Sequence, residues 1–262
     1  SALMNRYRRK WAGKEVEISD FQGDLRIAVD PGDEMGSRIL WFDAYSRAEL
    51  ALVRQMLQPR DVFADVGANI GEFTLVAARA VGWGGEVIAF EPMPAVRQRL
   101  ERHILWNDLR NVTIIPDALG DCEDVVSLYA PLDEGHQGLF TTLPSEGRPT
   151  KVAEVRQTTL DSLGLKRLDG LKLDIEGAEL SALRGGLETL KHCKPWIICE
   201  VGKDTRLDAY DPAEIISLLT GLGYSLSIIE DHGGLSPISG AGDLREWQNV
   251  LARNETVNRS SQ

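Results

Sequence analysis

The chain has 262 residues, 43% of them hydrophobic, which is enough to bury one sizeable core. A formal net charge of -11 argues against tight nonspecific binding to DNA or RNA, which needs a positive surface to displace counterions. Three cysteines (Cys122, Cys193 and Cys199) without C-x-x-C spacing argue against a disulfide framework or a cysteine zinc site.

In chain order, the basic residues Arg6, Arg8, Arg9 and Lys10 come first and read as a solvated helix face. No apolar stretch follows them, so they do not read as a secretory signal. No apolar run approaches the roughly 18–20 residues that span a bilayer. The expectation is a soluble, cytoplasmic protein. Residues 15–43 alternate and carry turn residues at Gly23-Asp24 and Pro31-Gly32-Asp33, so residues 1–45 read as a small β-rich extension. A helix is expected to begin at Ser46, with Leu50, Val53 and Leu57 on its apolar face and Pro59 as its stop. Strands and helices then alternate. Strands are expected at 62–66, 86–90, 112–115, 170–173 and 196–201, and helices at 72–81, 94–106, 178–192 and 212–222. Further strands are expected at 125–130 and 152–159, flanking a Gly-, Pro-, Ser- and Thr-rich stretch at 131–150 that reads as a lid or binding loop. Strands near 224–229 and 249–252 are expected to pair antiparallel at an edge, and 255–262 reads as a flexible tail. Such alternation calls for an α/β fold, a mostly parallel sheet with helices on both faces, over residues 46–254.

The stretch with the most chemistry runs from Asp61 to Thr74. A short apolar strand meets Asp65, then a turn with Gly67 and Gly71, then a helical pattern. The carboxyl end of such a strand is where open α/β sheets bind ligands. The spacing Gly67-x-x-x-Gly71 fails the dinucleotide pattern G-x-G-x-x-G. A carboxylate there repels a pyrophosphate and favours a cationic amine or sulfonium, which points to S-adenosylmethionine. Glu91, about 20 positions after the glycine turn, is placed to accept hydrogen bonds from ribose hydroxyls. Asp117 and the backbone of Ala118 fall beside the same crevice, where an adenine amino group is read. One strand further on, Asp174 and Glu176 should face the transferred methyl group, with Glu200 at the same level on the next strand. Glu179 suits either a helix-capping role or a catalytic one.

These motifs resemble the FkbM family of S-adenosylmethionine-dependent methyltransferases. The residues that carry the resemblance are Asp65-Val-Gly-Ala-Asn-Ile-Gly71, Phe90-Glu-Pro92, Ala118-Leu-Gly120, Thr159-Leu-Asp161 and Lys172-Leu-Asp-Ile-Glu-Gly-Ala-Glu179, continuing through Leu183-Arg-Gly-Gly186. The resemblance implies the class I methyltransferase fold, a seven-stranded Rossmann-like sheet whose last strand is antiparallel. It implies O-methylation of a hydroxyl on a sugar, polyketide or other secondary metabolite. Carried over by position, Asp65, Gly67, Asn69 and Gly71 form the cofactor loop, Glu91 holds the ribose, and Asp117 with Ala118 borders the adenine.

An alcohol is a poor nucleophile until it loses its proton, so such an enzyme needs a general base or a metal. Asp174 is the expected base or metal ligand, with Glu176 and Glu200 in support; Asp174 and Glu200 also suit a shared Mg²⁺. His136, in the 131–150 loop, is a second base of lower standing. No Asp/Asn-Pro-Pro-Tyr/Phe motif follows the fourth strand, which argues against an amino-methylating nucleic acid enzyme, as the acidic charge does; the expected partner is a small hydroxylated acceptor and not a nucleic acid. Two other readings stay open: a catalytically silent S-adenosylmethionine-binding scaffold, and an NAD-dependent oxidoreductase on the same sheet topology.

Overall fold

The computed structural model describes residues 10–130, 140–142, 150–202, 211–244 and 247–254. Arg6, Arg8 and Arg9, His136 with most of the 131–150 loop, and the 255–262 tail lie outside the described residues.

A hairpin of β1 (Val16–Phe21) and β2 (Leu25–Val29) opens the fold. The rest of the extension departs from the β-rich expectation, because α1 (Glu34–Phe42) follows it. Pro31-Gly32-Asp33 serves as a helix start: the Asp33 carboxylate accepts from the Gly36 amide at 2.5 Å, a side-chain N-cap. Gly36 is required there, since a Cβ would lie 2.0 Å from the Asp30 carbonyl oxygen.

The alternating core follows as α2 (Arg47–Met56), β3 (Val62–Val66), α3 (Glu72–Val81), β4 (Glu86–Phe90), α4 (Pro94–Trp106) and β5 (Val112–Ile115). Next come β6 (Ala118–Leu119), β7 (Asp124–Tyr129) and β8 (Lys151–Thr158), which form a separate three-stranded sheet. The chain returns through β9 (Gly170–Leu173), α5 (Glu179–Arg184), α6 (Leu187–Cys193), β10 (Trp196–Gly202) and α7 (Pro212–Gly221), and ends with β11 (Tyr224–Ile229), β12 (Leu235–Pro237) and β13 (Trp247–Asn254). The helix expected over 178–192 is broken at Gly185-Gly186, where a Cβ on Gly185 would lie 1.9 Å from the Gly120 carbonyl oxygen.

The main sheet runs β12-β11-β13-β10-β9-β3-β4-β5, with β13 antiparallel to both neighbours and the β10-to-β5 stretch parallel. It therefore has eight strands rather than seven. The added one, β12, arises in the glycine-rich link: a turn through Gly233 and Gly234 folds Leu235–Pro237 back on β11. The strands expected at 224–229 and 249–252 do pair antiparallel, with β13 between β11 and β10, and β12 takes the edge outside β11.

Strand alternation divides the core. Phe63, Val87, Ile198 and Leu251 face a cluster built with α1–α3 and the β1–β2 hairpin. Their neighbours Ala64, Ile88, Ile197 and Val250 face a second cluster built with α5–α7. Helices thus cover both faces, as a mostly parallel sheet requires. No helix among the described residues is long and apolar enough to cross a membrane.

His103 ties the hairpin to this core. It falls on the buried stripe of α4 with Val96 and Leu100. Its Nε2 accepts from the Ala28 amide at 3.0 Å, and its Nδ1 lies 2.8 Å from the Ile70 carbonyl oxygen, which makes Nδ1 the protonated nitrogen. Burial lowers its pKa from 6.5 to about 4. Because the folded value lies below the unfolded one, the neutral ring's contribution is complete above pH 6.5 and is lost as pH falls through about 4. We predict that about 3 kcal/mol of acid sensitivity, read as the denaturation midpoint between pH 7 and pH 4, disappears in His103→Gln relative to the wild type. Equal pH slopes in the two proteins would refute this.

Candidate cofactor and acceptor site

The site lies at the carboxyl ends of β3, β4, β9 and β10. The loop after β3 is built from left-handed backbone: Gly67 has φ 80, Asn69 φ 50 and Gly71 φ 103. Its amides are consumed internally. Gly67 and Ala68 donate to the Phe90 carbonyl at 3.1 and 2.9 Å, and Gly71 donates to the Ala68 carbonyl at 2.9 Å. Asn69 donates to Glu91 Oε2 at 2.9 Å, and Ile70 to Asn69 Oδ1 at 2.8 Å. A phosphate cradle presents such N–H groups to its ligand; this loop turns all five inward.

Asp65 is fully buried and lines neither cavity described below. Thr74 Oγ1 donates to its Oδ2 at 2.5 Å, and Lys172 Nζ stands 3.5 Å from Oδ1. The parallel register explains this pairing, since Asp65 lies directly across from Lys172. Asp174, two residues on from Lys172 and so on the same side of the strand line, is 3.6 Å from the ammonium. Lys172 also donates to the Gly67 carbonyl at 2.9 Å and sits 5.1 Å from the centre of the Phe73 ring. Burial works to strip its proton, but Asp174 and Asp65 outweigh burial and hold the ammonium above its ordinary pKa.

The expected acidic residues come together. One carboxylate oxygen from each of Asp174, Glu176 and Glu200 lies within 4.8 Å of the others. Burial, then the charges of Asp174, Glu176 and Glu179, push Glu200 well above the carboxylate range. Glu179 is a brace: its carboxylate accepts from the Ile175 amide at 2.9 Å and the Gly177 amide at 3.0 Å. That grip holds a turn in which Glu176 takes φ 55 and Gly177 φ 101.

Two cavities meet here. One, of about 480 Å³, is lined by Phe90, Glu91, Asp117, Ala118, Leu128 and Phe140, among others. The other, of about 670 Å³, is lined by Met35, Tyr45, Asn69, Phe73, Lys172 and Glu176, among others. Gly67 and Asp174 line both. In the first cavity, Glu91 accepts from the Met93 and Asn69 amides, both at 2.9 Å, and burial raises its pKa to about 7. Asp117 pairs with Arg156 at 3.2 Å, and Ala118 is buried in β6. Gly71 caps α3 rather than lining either cavity.

Several participants carried no motif. Glu72, buried at the start of α3, accepts from the Tyr45 amide at 2.5 Å and the Ser46 amide at 3.3 Å, fastening the wall of the larger cavity to the glycine loop. Burial raises Glu72 to about 7. Burial, with the charges of Glu34 and Asp174, lifts the Tyr45 phenol to about 12, so it remains a hydrogen-bond donor. Thr141, bridged to Tyr129, donates to the Glu176 carbonyl at 2.7 Å, and its neighbours Phe140 and Thr142 line the smaller cavity. Only strand register or tertiary contact reveals these roles.

A family model described as the methyltransferase FkbM domain matches residues 65–226. The chain belongs to the FkbM methyltransferase family. The match covers more than half of the chain and spans the glycine loop, Glu91, the acidic turn and Glu200. Curated relatives of this FkbM-family chain include the AMB antimetabolite synthetase AmbE of Pseudomonas aeruginosa, 27% identical over 83% of this chain and 12% of that protein. Methyltransferase 1 of Beauveria bassiana is 31% identical over 48% of this chain and 59% of that protein. The chain thus spans only part of the length of both. Among solved structures, a protein assigned as an rRNA methylase from Clostridium thermocellum aligns with a TM-score of 0.50 at 12% identity, covering 78% of this chain and 92% of that one. That likeness speaks to the shared Rossmann-like methyltransferase fold.

Proposed function

We propose that this FkbM-family chain is an S-adenosylmethionine-dependent O-methyltransferase acting on a hydroxyl of a small secondary metabolite, such as a sugar or polyketide. The observation that carries the cofactor reading is the glycine loop, whose amides are internally bonded while Glu91 lines the adjoining cavity. Such a site suits a nucleoside without phosphates. The cavity fits the group: Phe90, Leu128 and Phe140 give it apolar walls, and Glu91 and Asp117 give it acceptors for a diol and an exocyclic amine. The partial likeness to an antimetabolite synthetase supports an acceptor from secondary metabolism, and the net charge of -11 supports a small molecule over a nucleic acid.

S-adenosylmethionine, when bound, supplies an electrophilic methyl group. The chain's residues have the remaining tasks. Glu91, Asp117 and Ala118 hold the nucleoside end, beside Gly67 of the glycine loop. Met35, Tyr45 and Phe73 wall the larger cavity, where the acceptor is held and water excluded. Asp174, at the junction of the cavities, takes the hydroxyl proton as the oxygen attacks, while Glu200 keeps its own proton. Alignment of this kind supplies roughly 7–11 kcal/mol of a displacement barrier. A second reading, Mg²⁺ shared by Asp174 and Glu200, draws on the three carboxylates within 4.8 Å. The base reading is preferred because Lys172 already supplies a cation 3.6 Å from Asp174. Loss of methyl transfer on adding EDTA, with recovery on adding Mg²⁺, would reverse that preference.

Calorimetric titration with S-adenosylmethionine, S-adenosylhomocysteine and NAD tests the cofactor reading. Both sulfur nucleosides are expected to bind and NAD is not, with Glu91→Ala weakening the former about 10- to 100-fold through lost charge-assisted hydrogen bonds. Binding of NAD alone would overturn it.

A further inference from the structure

Lys172 is a buried ammonium shared between two carboxylates, 3.5 Å from Asp65 and 3.6 Å from Asp174. It is also anchored to the cofactor loop through the Gly67 carbonyl at 2.9 Å. Gly67 and Asp174 are the residues where the two cavities join, so this charge group sits at the crossing point of cofactor and acceptor. One positive charge against two negative ones leaves the junction net negative, but less so than the carboxylates alone would make it.

The degree of neutralisation matters for methyl transfer in particular. The methyl donor carries a sulfonium charge that is lost as the methyl leaves, and the product is a neutral thioether. A fully unneutralised pair of carboxylates would stabilise the charged ground state more than the transition state, which raises the barrier. Among the described residues, Lys172 is the cation that pairs with both Asp65 and Asp174. On the basis of the cofactor reading above, we infer that Lys172 is a positioning and charge-setting residue that fixes the site's preference for the sulfonium substrate over the thioether product. Its ammonium limits how tightly the donor is held before reaction and prevents the site from discriminating too strongly between the two.

The test is the ratio of the Kd values of S-adenosylhomocysteine and S-adenosylmethionine, measured by calorimetry without any acceptor. Lys172→Met is expected to raise the preference for S-adenosylmethionine at least tenfold, about 1.4 kcal/mol, whereas Lys172→Arg, which keeps the charge, leaves the ratio within threefold of the wild type. Damage to packing alone moves both affinities together and leaves the ratio fixed; that result, or equal shifts in the Met and Arg variants, overturns the inference. Asp174→Asn is the complementary variant should Lys172→Met fail to fold. Its side chain is partly exposed, and removing its negative charge is expected to lower the ratio at least threefold. An unchanged ratio there also overturns the inference. Failure of the wild type to bind either nucleoside is a different result, which removes the cofactor reading itself and the inference with it.

Discussion

Asp174→Asn is expected to lower kcat for methyl transfer by about 10²–10⁴, the range that a positioned general base contributes. The substitution keeps the shape and removes the acceptor for the hydroxyl proton. Asp174 stands at the junction of the cavities, with Lys172 3.6 Å away to orient it. Glu200→Gln should cost far less, because Glu200 is already pushed toward its protonated form by burial and by the neighbouring charges. The measurement is single-turnover transfer of labelled methyl from S-adenosylmethionine to a hydroxylated acceptor found by screening, with cofactor affinity followed in parallel. Turnover within threefold of the wild type in Asp174→Asn would remove it from the role of base. A larger loss in Glu200→Gln would move that role to Glu200.

Gly67→Ala is the second large effect. Gly67 has φ 80, and a Cβ there would lie 1.9 Å from the Asp174 carbonyl oxygen. Backbone strain of this kind costs about 1–3 kcal/mol, and the clash forces either the cofactor loop or the acidic turn to move. The expected outcome is a melting temperature lower by about 4–10 °C and cofactor binding weakened at least 100-fold. Gly82→Ala supplies the comparison: φ is 66 there, but nothing lies within 4 Å of its Cβ. That variant should pay for strain alone and bind the cofactor normally. Equal cofactor affinities in the two variants would show that the Gly67–Asp174 contact does not hold the site together.

The strands and helices around the glycine loop were legible because each carries its own period and punctuation. The alternation of 62–66, 86–90 and 170–173 with amphipathic helices leaves little choice of sheet type. Other features depend on distant atoms. Pro31-Gly32-Asp33 suits a turn between strands as well as an N-cap, and only the close approach of Gly36 to the Asp30 carbonyl settles the matter in favour of α1. The Gly185 break has its cause in the Gly120 carbonyl, and β12, with three residues, is too short to show a period. At the site, Asp174, Glu176 and Glu200 could be placed at one sheet edge from strand ends alone. The partner of Asp65 could not. Its carboxylate reads as a ligand contact in the sequence, whereas the register sets it across from Lys172, inside the protein. His103 carries no motif in the sequence, and its two hydrogen-bond partners come from separate parts of the chain.

The short strand β12 also bears on how this molecule behaves in a crowded solution. Without it, β11 would present six residues of unpaired backbone along one margin of the sheet, the kind of template that recruits a strand from another molecule. With it, the outermost strand offers only three residues, and the last of them, Pro237, has no amide hydrogen to donate. A passing chain finds too few hydrogen bonds to begin a ladder there, so three residues at the margin protect the interior ladder of β13 and β10 from edge-to-edge aggregation.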